Sequence, residues 1–180
     1  MSRNPTAEER YLLDREAILG CVSRGCRGVD RHDRQLLASV FDPRAALDYG
    51  EWSGSAADFV AWADEAHRAE DLAHSHNITS HNCEIDGDRA VAETYVIRAC
   101  LKRDGRTAVV SGGRYLDRFE RRDGEWRIVQ RRVVADWALE ADGTESHNDD
   151  GYIRGRWDQD DITYMRPLAL SPELMARIGS

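Results

Sequence analysis

The chain contains no apolar run near the roughly 20 residues that a membrane-crossing helix needs. Its opening, MSRNPTAEER, is polar and lacks the apolar core of a signal peptide, so a cytoplasmic protein is expected. Basic residues are not in excess: 25 Lys and Arg stand against 33 Asp and Glu, a formal net charge of −8. That argues against a nucleic-acid partner, which would call for a basic face, and against adhesion to an anionic membrane. Cysteine is sparse. Cys21, Cys26, Cys83 and Cys100 form no CxxC pair, and in a reducing compartment they read as free thiols packed as small apolar groups. No phosphate-binding glycine loop, dinucleotide fingerprint or nucleophile elbow occurs. Gly112-Gly113 is not a phosphate loop, because it precedes no helix. Nucleotide, serine and thiol chemistry thus lack support, and no cofactor is expected. Internal repeats and low-complexity segments are also missing.

What is present fits one globular domain. The 180 residues are 41% hydrophobic and 32% charged, ordinary values for a chain that buries its own core. Thr6-Ala-Glu-Glu9 has the form of a capping box. Apolar residues then recur at helical spacing (Leu12, Leu13, Ile18, Leu19, Val22, Cys26, Val29), predicting a long helix that ends near Gly25 or Gly28. A short helix over about 33–40 follows. Phe41-Asp-Pro43 breaks that pattern, and 45–49 reads as a short strand. Ser55-Ala-Ala-Asp58 opens another helix to about Ala69, with Phe59, Val60, Trp62 and Ala63 on its apolar face. Three Asp-Gly pairs at Asp86, Asp104 and Asp123 then punctuate β-rich runs over 78–85, 89–101, 108–120 and 126–137. Such pairs favour tight hairpins. Helices first and a meander after them predict an α+β fold, with a curved antiparallel sheet packed on N-terminal helices. Gly112-Gly113 marks either a bend that would hollow the sheet or a close backbone approach.

Residues 1–137 are expected to form this domain. Residues 138–180 form a polar, acidic extension with Asn148-Asp-Asp-Gly151, Asp158-Gln-Asp-Asp161 and a short terminal helix opened by Ser171-Pro-Glu-Leu and closed by Gly179. Its Tyr152, Ile153, Trp157, Tyr164, Met165 and Leu168 are too many apolar groups for a disordered tail. We expect it to dock on its own or a neighbouring subunit.

Several residues could carry chemistry. Asp30 is expected just past the first helix, near the negative end of its dipole, or else as a solvated loop residue among Arg27, Arg31 and Asp33. His74, His76 and His81 admit three readings: a metal site built on two imidazoles spaced for one strand face, a general base near neutral pH, or ordinary polar residues at the sheet border. Arg131 and Arg132 fall on opposite faces of the last strand, one toward the helices or a cavity and the other toward solvent. Tyr49 is a candidate hydroxyl donor or a core aromatic.

Four stretches resemble the SnoaL-like families of the nuclear-transport-factor-2 fold, above all scytalone dehydratase and hexachlorocyclohexane dehydrochlorinase. They are Gly28-Val-Asp-Arg31 with Leu36–Phe41, Leu47-Asp-Tyr49, His76 with Thr79, and Gly112–Asp117 with Phe119–Trp126. The resemblance spans about residues 8–137 and implies a cone-shaped domain. It places a catalytic base on His76, an orienting acid on Asp30, an active-site cation on Arg131 and a substrate-binding phenol on Tyr49. The chain departs from those enzymes in three places. Gly25 stands where the dehydrochlorinase has a lysine. Val29 and Cys100 stand where scytalone dehydratase has a tyrosine and a second histidine, which makes them substrate-contact positions here. The resemblance implies a cofactor-free, metal-free lyase acting by elimination on a small hydrophobic ring compound. An isomerase or cyclase with the same dyad, or a ligand-binding or assembly subunit, are its alternatives. It also implies a homotrimer.

Overall fold

A computed structural model describes residues 3–143, 153–167, 169–170 and 172–178. The expected features at 148–152, Leu168, Ser171 and Gly179 lie outside the described residues. Helix α1 (Ala7–Asp30) opens on the anticipated capping box, with the Glu9 amide donating to Thr6 Oγ1 at 3.2 Å and the Thr6 amide to Glu9 Oε2 at 2.7 Å. It runs past both glycines. Gly28 is small because α2 (Arg34–Ser39) crosses there: a Cβ at position 28 would sit 2.7 Å from the Leu37 amide nitrogen. The helix stops two residues later, where His32 takes a left-handed conformation at φ 51°. Asp30 is therefore the last residue of α1 rather than the first of a loop. Ile18, Cys21, Val22 and Cys26 are buried, whereas Leu12 and Leu13 of the expected apolar face are exposed. Buried Asp14 ties the same helix to the sheet, accepting from Arg121 Nη1 at 2.6 Å and Trp126 Nε1 at 3.0 Å.

Strand β1 (Phe41–Asp48) starts at Phe41, earlier than proline at position 43 suggested, and its register with β6 shifts between Phe41 and Ala46. A three-residue β2 (Ser53–Ser55) precedes α3 (Ala56–Glu70), which Ser55 caps through the Asp58 amide at 3.2 Å. Strands β3 (Asp71–Asp86), β4 (Arg89–Lys102), β5 (Thr107–Arg122) and β6 (Glu125–Asp142) form the expected meander. β3 begins directly after α3, so His74 and His76 belong to a strand. β6 continues beyond the boundary expected at Trp137. At the last hairpin Asp123 and Gly124 both have positive φ, the geometry an Asp-Gly pair favours.

The sheet order is β2-β1-β6-β5-β4-β3, antiparallel except where β1 lies parallel to β6, and the sheet does not close. Both readings of Gly112-Gly113 hold. The register of β5 against β6 shifts between them, and a Cβ at Gly113 would lie 2.3 Å from the Val134 carbonyl oxygen. The core lies between α1, α3 and the concave sheet face, with Ile18, Val22, Phe119 and Ile128 almost wholly buried. Each such side chain contributes about 1.5–3 kcal/mol by leaving water. No helix among the described residues is long and apolar enough to cross a membrane.

Candidate active site

The curled sheet and the two long helices border an open cavity of about 380 Å³, within the range of about 300–1,000 Å³ usual for small-molecule sites. α1 supplies Cys26 and Val29, α3 supplies Phe59, Trp62 and His67, and the strands supply His76, Arg98, Tyr115 and Arg131. One wall is aromatic. Tyr49 stacks on Phe59 with centroids 4.4 Å apart, and Trp52 stacks on Trp62 at 5.3 Å.

Asp30 at the end of α1 meets His76 on β3, which lines the cavity. Asp30 Oδ1 lies 2.7 Å from His76 Nδ1, and Asp30 Oδ2 accepts from the His76 backbone amide at 2.9 Å. Both side chains are close to nine-tenths buried. A carboxylate can only accept, so the proton of the neutral ring sits on Nδ1. The lone pair is thereby left on Nε2 in a residue that lines the cavity.

The other histidines divide. His74 Nε2 donates to the Val29 carbonyl at 3.2 Å, and burial pushes this imidazole down to about 4. His67, absent from the sequence reading, sits 5.8 Å from the His76 ring, its Nδ1 donating to the Ala63 carbonyl at 2.7 Å. Burial lowers it to about 4 as well. It falls at helical spacing from Phe59 and Ala63, a signal that could have found it. His81 does not line the cavity and pairs with Thr94 Oγ1 at 2.8 Å. Among the described residues no three His, Cys, Asp or Glu side chains are grouped to hold a metal ion.

Arg131 faces inward and Arg132 is exposed, as alternation predicts. Arg131 is 3% exposed and makes two bonds to Asp117, of 2.8 and 2.7 Å, across the β5–β6 register. Its guanidinium lies 4.0 Å from the centroid of the Tyr115 ring, and Nη1 lies 3.5 Å from the Tyr49 hydroxyl. Burial raises the Tyr49 phenol above its ordinary value, so it stays protonated. Val29 lines the cavity. Cys100 does not: it is buried one step beyond Arg98 on the same face of β4. Cys26 does line it, its thiol pushed up to about 12 by burial and hence no ready nucleophile. Arg98, also unforeseen, lines the cavity and pairs with buried Asp71, which Lys102 approaches to 3.1 Å.

Solved structures share this architecture. A type 2 hexachlorocyclohexane dehydrochlorinase (LinA) is similar with a TM-score of 0.71 and 20% identity, over 81% of this chain and 100% of that one. A scytalone dehydratase candidate from Novosphingobium aromaticivorans is similar at 0.66 and 16%, over 80% and 97%. The Kfla4162 protein of Kribbella flavida is similar at 0.65 and 21%, over 72% and 95%. At these identities the likeness speaks to the fold. No curated protein matches the chain in sequence. The family model of the SnoaL-like domain, however, matches residues 10–132, and the chain belongs to that family.

Proposed function

We propose that this protein is a cofactor-independent lyase of the dehydratase type, acting on a small hydrophobic ring compound. The contact between Asp30 and His76 carries the reading. His76 Nε2 removes a proton from an acidic carbon. The C–H electron pair becomes the new double bond, and the leaving group departs from the adjacent carbon with its bonding pair, as halide, or as hydroxide that takes the proton back from the His76 imidazolium to leave as water. Asp30 fixes the tautomer and stabilises the imidazolium as it forms, the arrangement that makes a histidine an effective base. The aromatic wall suits a flat ring. Tyr49, held by Arg131, can donate a hydrogen bond to a carbonyl or to the departing oxygen, while Arg131 supports it with charge that Asp117 largely balances. Val29 contributes apolar contact, and Cys100 acts only through packing. An open cavity beside the pair fits an assembly role poorly. We further propose that the protein is a homotrimer, with no nucleic-acid or membrane partner.

A panel of hydroxylated and halogenated ring compounds, followed by absorbance of the new double bond, tests the reaction. The wild type should release water or halide. His76→Ala and Asp30→Asn should each lose about 10²–10⁴-fold. Near-wild-type turnover in either variant would reject the dyad. Deuterium exchange into substrate without loss of a group would assign an isomerase instead.

A further inference from the structure

Residues 153–165 lie on the outside of the dyad, and the proposed chemistry does not use them. Trp157 Nε1 donates to the His74 carbonyl at 3.3 Å. Asp161, 4% exposed, lies 3.6 Å from Arg31 Nε. Its two carboxylate oxygens also accept the Thr163 amide at 2.9 Å and the Arg156 amide at 2.7 Å. The Tyr164 hydroxyl donates to Asp33 Oδ2 at 3.0 Å. Arg27 donates to Thr163 Oγ1 at 3.0 Å and lies over the Tyr164 ring.

These contacts converge on the backbone that carries the pair. His74 is two residues before His76 on β3, and Arg31 directly follows Asp30. The His74 ring in turn holds the Val29 carbonyl, the residue before Asp30. Tail, strand, helix end and dyad thus form a closed circuit of contacts. Arg31 matters for a second reason. It already donates to the Asp30 backbone carbonyl at 3.3 Å, and a cation so near could turn to the Asp30 carboxylate and compete with the imidazole. Asp161 gives it another partner.

We propose that Trp157 and Asp161 are positioning residues, through which the tail holds Asp30 on His76. This rests on the dyad reading above. The test is ¹⁵N NMR of the histidine ring nitrogens in the full-length protein, at a pH where the His76 ring is neutral, with Asp30→Asn as reference. In the wild type the two His76 nitrogens should be well separated, with Nδ1 protonated. In Trp157→Phe/Asp161→Asn their shifts should converge as the second tautomer becomes populated. Trp157→Phe alone, which keeps an aromatic ring, should move in the same direction by less. Wild-type shifts in a folded double variant, or unfolding of the double variant with wild-type shifts in Trp157→Phe, would overturn the proposal. If Asp30→Asn also leaves the wild-type shifts, the dyad reading itself falls, and the positioning role with it.

Discussion

Asp30 takes two hydrogen bonds from one residue, the ring and the backbone amide of His76. The family resemblance paired the two, but nothing in the spacing of the residues themselves put position 30 beside position 76. The topology does that, by starting β3 at Asp71 directly after α3. Alternation put Arg131 and Arg132 on opposite faces, and only the resemblance singled out Arg131 as the inward one. Its partner Asp117 was not legible, because that pairing depends on strand register. The pair is almost fully buried, with side chains 3% and 0% exposed. Asp117→Asn leaves a buried cation with half its partner, and should cost about 3–5 kcal/mol in urea unfolding. A cost within experimental error would show that water reaches the site. His67 and His74 are both held near 4, against 6.5 for the unfolded side chain. The unfolded state therefore binds more protons between those values, and stability must fall as pH drops from about 6.5 toward 4. Thermal midpoints over that interval should show the decline, and His67→Gln/His74→Gln should flatten it.

At the scale of elements, capping boxes and Asp-Gly turns placed α1, α3 and the meander well, since each is a local signal. The boundaries that failed have non-local causes. α1 was expected to stop at Gly25 or Gly28, but the helix runs through both, and Gly28 answers to a crossing helix. Gly28→Ala sets the two demands against each other. Alanine gains about 1 kcal/mol of helix propensity, yet its Cβ would lie 2.7 Å from the Leu37 amide nitrogen. We expect a net loss of about 1–3 kcal/mol from overpacking, read from chemical denaturation. A more stable variant would mean that α2 moves aside freely. β6 overran its expected end because Leu139 and its neighbours pair with β5 as far as Thr107, which composition alone did not reveal.

For the whole molecule, the fold class was readable from element order, whereas the cavity depends on curvature that only the bulge at Gly112-Gly113 hints at. Light scattering at micromolar concentration should give three times the 20.4 kDa chain mass if the proposed trimer forms. A monomer would reject it. One feature of the dyad reaches beyond chemistry. β3 is the outermost strand of an open sheet, and the outward amides of such a strand can template another chain, a recognised route to aggregation. The amide of His76 is one that β4 does not take, and the Asp30 carboxylate already occupies it. A foreign strand could not zip along β3 past residue 76 without evicting that carboxylate, so the contact between Asp30 and His76 also guards the strand edge.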